Sequence, residues 1–280
     1  MAADLHTHTT ASDGRLSPDE LIRLARARGL TAIGVTDHDT VAGLDEALAA
    51  GKCYGVTVVP GVELSTEWED REIHILGYYL EWQEENLLAF LETMRRARYR
   101  RITRMVSRLR ELGYDITLGE VEGEVRGEAV GRPHIAAALV RRGYAPSVEV
   151  AFKSLLARGR PAYVPRAKVE PARAVEVILK AGGVPVLAHP GLSRADALIP
   201  ALVESGLQGV EVYYPVHDAA ATGRYLELAS RYELVVTGGS DFHGIIDAGH
   251  ADLGTCRVGP VELEYLLRRA EKIKAQATKV

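Results

Sequence analysis

Short apolar runs recur along this chain, and nearly every one delivers a histidine, aspartate or glutamate at or near its end. Thr31 to Thr36 runs into Asp37-His38-Asp39, Gly55 to Val62 into Glu63, and Gly183 to Ala188 into His189. Gly209 to Tyr214 leads to Pro215-Val216-His217, Leu234 to Ser240 to Asp241-Phe242-His243, and Arg71 to Tyr78 carries His74. Helical periods lie between them. Ser17-Pro18-Asp19-Glu20 supplies an N-cap, a proline for the first turn and acids near the helix dipole, and Val41 to Ala50, Ala174 to Ala181 and Glu262 to about Ala275 continue the alternation. Continuous apolar strands separated by helices bury both faces most readily in a parallel α/β sheet or barrel. In a (β/α) barrel the reactive side chains project from the C-terminal ends of the strands. Only His134 and His250 lie outside this series, so one face of one barrel is expected to collect most of the histidine.

The series begins with Asp4-Leu5-His6-Thr7-His8 and continues through Ser12-Asp13. Side chains two apart on a strand share a face, so His6 and His8 can grip one ion while Asp13 returns from the loop. Carboxylates and imidazoles without thiolates suit Zn, Mn or Fe, and the groups suffice for more than one ion. Cys53 and Cys256 form no CxxC pattern and read as reduced structural residues. A formal net charge of −4 argues against nonspecific binding to nucleic acid or anionic membrane, so a phosphate ligand needs local positive charge. There is no apolar stretch of the roughly 20 residues a membrane span requires and no apolar signal region, which makes the cytoplasm the expected location and a membrane partner unexpected.

The strand rhythm breaks over residues 83–160, which read as a helical insertion or cap between barrel segments 1–82 and 161–280. The run Arg95-Arg96-Ala97-Arg98-Tyr99-Arg100-Arg101 is read as the solvated face of a long helix rather than a nucleic-acid patch.

Taken in order, Asp4-Leu5-His6-Thr7-His8-Thr9, Ser12-Asp13-Gly14, Thr36-Asp37-His38-Asp39, Gly61-Val62-Glu63, His74, Ala188-His189-Pro190 and Ser240-Asp241-Phe242-His243 resemble the successive motifs of the PHP (polymerase and histidinol phosphatase) superfamily. The resemblance implies a distorted (β/α)7 barrel with three divalent metal ions. One ion would take His6, His8, Glu63 and Asp241; a second would share Glu63 and add His74 and His189; a third would take Asp13, His38 and His243. The insertion and Gly131-Arg132-Pro133-His134 resemble the phosphoesterases that act on nucleotides, which implies Arg132 and His134 on the cap over the site as substrate-binding groups. Arg132 also reads simply as a surface arginine before a helix start.

The activity so implied is hydrolysis of a nucleotide phosphomonoester, a nucleoside 3′,5′-bisphosphate or an AMP-like compound, by a hydroxide held between ions that share Glu63. His217 and His243 are candidates for protonating the leaving oxygen, and Asp37 and Asp39 for orienting the histidines. Three alternatives stay open: a histidinol phosphatase, a 5′-3′ exonuclease on short RNA or DNA, and a noncatalytic metal-stabilised module assisting a polymerase.

Overall fold

A computed structural model describes residues 2–125, 127, 130–165, 169–194, 196–244 and 251–277. Seven strands lie side by side in chain order: β1 (Ala3–Asp4), β2 (Ala32–Val35), β3 (Thr57–Trp68), β4 (Arg71–Tyr78), β5 (Val184–Leu187), β6 (Gly209–Tyr213) and β7 (Val235–Gly238). The first and last meet through the Leu5 N–H, which donates to the Gly238 carbonyl at 3.1 Å, and a parallel bridge between Thr7 and Phe242. The sheet therefore curls into a nearly closed barrel. Glycine is required where its walls touch: a Cβ at Gly239 would lie 2.3 Å from the His6 Cβ, and one at Gly34 would lie 2.3 Å from the Leu5 carbonyl oxygen.

The barrel departs from a uniform parallel one at β4. This strand pairs antiparallel with both β3 and β5, while the other pairs are parallel. The sequence predicts Glu63 near the end of its strand; β3 instead runs on to Trp68 in a hairpin with β4, and Glu63 sits mid-strand opposite Leu76. Residues 64–68 continue the strand because β4 supplies their ladder partners. Three other expected strands are shorter. His6 and His8 follow β1, His189 follows β5, and Gly239 to His243 follow β7, all as loop backbone against the barrel rim.

Helices α1 (Pro18–Ala27), α2 (Leu44–Tyr54), α7 (Pro171–Lys180), α9 (Ile199–Glu204), α10 (Ala219–Arg231) and α11 (Pro260–Ala277) flank the sheet, with the short α8 (Pro190–Ser193) directly after His189. The Ser17 hydroxyl accepts the Glu20 N–H and Glu20 returns the bond to the Ser17 N–H, a reciprocal cap that fixes the start of α1. Helix α2 starts at Leu44 rather than Val41, because Thr40 Oγ1 accepts the Ala42 N–H at 3.2 Å and turns the chain first. The last helix runs slightly beyond its expected ends.

The inserted segment is helical, with α3 (Glu85–Glu111), α4 (Leu118–Glu122), α5 (Arg132–Arg141), α6 (Val148–Ala151) and a π-helical turn at Phe152–Leu156. The apolar face of α3 is divided. Leu87 and Leu91 join the barrel core around Ile75 and Ile178, whereas Ile102, Met105, Val106 and Leu109 form a separate cluster with Ile135, Leu139 and Leu156. Ala162 and Val164 also belong to that cluster, beyond the expected boundary at 160.

Candidate metal centre

His6 and His8 emerge from β1 with their rings 5.3 Å apart, both fully buried at the barrel mouth. Their neighbours come from every side. Glu63 from β3, His38 after β2, His74 from β4, His189 after β5 and Asp241 and His243 after β7 converge on the same point, and Asp13 returns from the loop after His8. Ligand-capable atoms lie within 4.8 Å of one another in three overlapping groups: His6, His8, Glu63 and Asp241; His8, Asp13, His38 and His243; and His38, Glu63 and His74.

His6 Nε2 is 3.4 Å from both Glu63 Oε2 and Asp241 Oδ1, and His8 Nε2 is 3.2 and 3.1 Å from the same two atoms. His38 Nδ1 approaches Glu63 Oε2 at 2.9 Å, and His74 Nδ1 and His189 Nε2 lie 2.7 and 3.1 Å from Glu63 Oε1. His243 Nε2 is 3.3 Å from Asp13 Oδ1. Compared with the sets implied by resemblance, His8 faces two groups, His38 faces Glu63 as well as the Asp13 side, and His189 touches Glu63 without joining the group that Glu63 and His74 form with His38.

His6 Nε2, both ring nitrogens of His8, His38 Nδ1, Glu63 Oε2 and Asp241 Oδ1 are buried without an acceptable hydrogen-bond partner. Buried polar atoms almost always find one. Donor atoms left in this state, crowded around a common point and built from imidazole and carboxylate, fit divalent cations.

Electrostatics support the same reading. Burial is the largest influence on each of these groups. At His8 it is outweighed by Asp241 and Glu63, which push the imidazole up to about 10, and at His74 by Glu63 and Glu72, which push it up to about 9. His6 is likewise raised, by Glu211, Asp241 and Glu63, while His38 is lowered by burial. Asp13, Glu63 and Asp241 resist burial because the surrounding histidines hold their carboxyls well below the usual range. His189 and Asp241 have φ of 28° and 54°, so two of the converging side chains stand on left-handed backbone. Such conformations cost free energy and cluster at functional sites.

Several supporting contacts had no clear signal in the sequence. Glu211, fully buried on β6, accepts from His6 Nδ1 at 3.0 Å and from the His189 N–H at 2.8 Å. The Tyr214 hydroxyl donates to Asp241 Oδ2 at 3.0 Å. Asp4 accepts from the Ser240 N–H and hydroxyl and from the Gly254 N–H, closing the barrel beneath the site. Glu211 and Asp4 sit inside strands that otherwise read as apolar, and an isolated buried acid was the signal available.

Among the described residues, the hydrogen bonds of Asp37 and Asp39 go to groups other than the histidines. Asp37 accepts from the Thr9 N–H and hydroxyl and from the Ser12 hydroxyl, shaping the loop that carries Asp13. Asp39 accepts from the Ser65 N–H and pairs with Arg98, whose Nη2 also reaches Ser65 Oγ at 2.9 Å. The arginine run is thus not uniformly solvated: Arg98 is nearly enclosed, and Arg101 is buried with its Nε donating to the Val164 carbonyl at 2.7 Å.

Of the two proton-transfer candidates, His217 has Nδ1 against the Val212 carbonyl at 2.8 Å and Nε2 accepting the Gly191 N–H at 3.1 Å. His243 Nδ1 faces the Asp241 carbonyl at 2.8 Å, and its ring stacks on His8 at 4.1 Å. On the insertion, His134 Nδ1 accepts the Gly131 N–H at 2.9 Å, and Arg132 reaches Glu72, whose other oxygen is 3.3 Å from His74 Nε2. His250 lies outside the described residues.

A cleft of about 480 Å³ opens beside His74 and His189. Arg71, Arg132, Arg158 and Arg194 line it, with Tyr163 and Leu192 as less polar wall. A second groove, about 650 Å³, runs along α3 past Arg95, Arg96, Tyr99 and Arg100.

A nearly closed seven-stranded barrel with buried imidazoles and carboxylates converging at its mouth defines the class, an α/β barrel with a candidate metal centre. The chain belongs to the PHP domain family, whose description matches residues 4–160, and is a metal-dependent phosphoesterase. It is 37% identical over 248 residues to the phosphoribosyl 1,2-cyclic phosphate 1,2-diphosphodiesterase of Eggerthella lenta, covering 87% of this chain and 95% of that one. The 3′,5′-nucleoside bisphosphate phosphatase of Chromobacterium violaceum is 35% identical, with 89% and 91% covered, and the 5′-3′ exoribonuclease Rnm of Escherichia coli is 35% identical, with 86% and 84% covered. Among solved structures, a protein of Bifidobacterium adolescentis proposed to be a metal-dependent phosphoesterase superimposes with a TM-score of 0.88 at 33% identity, covering 95% of this chain and 96% of its own. Among the described residues no helix is long and apolar enough to cross a membrane.

Proposed function

We propose that the chain hydrolyses the phosphomonoester of a nucleotide, a nucleoside 3′,5′-bisphosphate or an AMP-like compound, with three divalent cations held by His6, His8, Asp13, His38, Glu63, His74, His189, Asp241 and His243. The observation that carries this is the set of buried, unpartnered imidazole and carboxylate atoms, one of them on His189, which also lines a cleft with Arg71, Arg132, Arg158 and Arg194 beside Glu67, Asp70 and Glu72. Mn²⁺, Zn²⁺ or Fe²⁺ would suit these donors, and bound cations supply neutralisation of phosphoryl oxygens and acidification of water.

The chain's own groups divide the remaining work. Arg132 presents a planar guanidinium at the cleft and can give a phosphate two directed hydrogen bonds. His134, whose Nδ1 accepts a backbone N–H, carries its proton on Nε2 when neutral and can donate to the substrate. His217 and His243 are engaged at their Nδ1 atoms by backbone carbonyls; His217 Nε2 also accepts the Gly191 N–H, so that residue acts by holding its loops in place, whereas His243 keeps Nε2 facing Asp13 for the cation they share. The Chromobacterium violaceum relative supports the bisphosphate reading by its activity.

A second reading, removal of nucleotides from the 5′ end of short RNA, is supported by the Escherichia coli relative and by the groove lined with Arg95, Arg96, Tyr99 and Arg100. Cations beside an aromatic ring suit a single strand, and a phosphate backbone would compete with Glu92 for Arg95 and Arg96. A phosphate-release screen with Mn²⁺ across nucleoside 3′,5′-bisphosphates, AMP, short 5′-phosphorylated RNA and histidinol phosphate ranks the readings by kcat/KM. The bisphosphate is expected first; histidinol phosphate in first place overturns the nucleotide assignment.

A further inference from the structure

We infer that Glu211 is a positioning residue that locks two neighbouring ligands, His6 and His189, whose rings stack 5.6 Å apart, into their cation-binding geometry. The inference rests on the reading that these histidines hold cations. Glu211 lies on β6, where the pairing with β7 is irregular between Glu211 and Tyr213. An irregularity of this kind redirects a side chain, and here an acid is turned into the barrel, where its side chain has no measurable exposure.

Each carboxylate oxygen has a separate task. Oε1 accepts from His6 Nδ1 at 3.0 Å, so the neutral ring carries its proton on Nδ1 and keeps the Nε2 lone pair for the cluster, where it faces Glu63 and Asp241. Oε2 accepts the His189 N–H at 2.8 Å. That residue has φ of 28° and ψ of 56°, and the bond offsets part of the cost of a backbone that aims its ring at Glu63. A carboxylate behind a ligating histidine fixes its tautomer and orientation. In Glu211 one side chain does this for an imidazole and for the main chain of a second ligand.

Glutamine cannot replace it. Its single amide oxygen can accept from His6 or from the His189 N–H, and the amino group then confronts the other donor. The pressure is relieved if His6 shifts its proton to Nε2, which removes the lone pair directed at the cluster. Nothing comparable happens around Asp13, His38 and His243, which make no contact with Glu211 among the described residues.

The test compares wild type and Glu211→Gln as full-length metal-stripped protein titrated with Zn²⁺, with bound zinc counted by elemental analysis and affinities taken from competition with a chelator. The expected result is a tenfold to hundredfold weakening of the sites that use His6 and His189, with the Asp13, His38 and His243 site retaining wild-type affinity. Equal affinities at every site, or equal weakening at every site, overturns the proposal. Wild type that binds no zinc overturns the metal reading instead, so the two failures are distinct. Should Glu211→Gln not fold, the ¹⁵N resonances of His6 in zinc-loaded wild type decide the matter: a proton on Nδ1 is expected, and an unprotonated Nδ1 overturns the assignment.

Discussion

Arg98→Ala should loosen the attachment of the helical segment to the barrel. Arg98 stands on α3, and its guanidinium reaches Asp39 and Ser65 with side-chain exposures of 10% for Arg98 and 1% for Asp39. With Nε 3.1 Å from Asp39 Oδ2, an effective dielectric constant of about 20 gives an attraction of about 5 kcal/mol. Desolvation of the two groups offsets much of this in the native protein. Removing the arginine deletes this cation from beside buried Asp39, which keeps its bond from the Ser65 N–H, and the expected loss is about 3 kcal/mol, the low end for breaking a buried pair. Urea unfolding followed by far-UV circular dichroism measures it, and Asp39→Asn with the double variant completes a cycle whose coupling should exceed about 1 kcal/mol. A cost for Arg98→Ala below about 1 kcal/mol, the range of exposed pairs, refutes the reasoning.

Asp13→Asn and His6→Gln should remove different ions, because Asp13 groups with His38 and His243 and His6 groups with Glu63 and Asp241; His8→Ala should weaken both groups and abolish hydrolysis, and elemental analysis of each variant separates the patterns. Metal affinity should rise with pH. His8 and His74 hold protons up to about 10 and about 9, above the ordinary 6.5, so the proton-linked stability of the stripped protein is fully present below 6.5 and is lost as pH rises through 9 to 10. Cations must displace those protons, and calorimetry in buffers of different ionisation enthalpy should show their release at neutral pH; binding without proton release contradicts the shifts. Arg132→Ala should raise KM for anionic substrates by about tenfold, the worth of one charge-assisted contact, with little change in melting temperature, and an unchanged KM removes it from phosphate binding.

Much of the barrel was legible because β2 and β5 are continuous apolar runs, and His38, His189, Asp241 and His243 were legible because each follows such a run. Residues 64–68 and the reversal of β4 were not. A hairpin strand has the same period as a parallel one, and direction is set by ladder partners remote in sequence. Arg98 was hidden in a run of similar residues, since burial of one arginine among several depends on where Asp39 lies in space. Glu211 was hidden by a different effect: within Gly209 to Tyr214 it reads as an ordinary polar break, and its importance comes from His6 and His189 lying over it. His6, His8 and Asp13 come from one short stretch, yet the structure assigns His8 to groups on both sides, a sharing that sequence spacing does not specify.

The most direct test follows bound metal and catalysis together. The stripped chain is titrated with Mn²⁺ while ions per chain and phosphate release from a nucleoside 3′,5′-bisphosphate are recorded at each step. The three overlapping groups predict three ions per chain, with phosphate release emerging as they fill and lost again on chelation. Full activity in chelator with no bound ion, or full activity at one ion per chain, contradicts a cluster built by these eight side chains, with His189 beside Glu63, acting together.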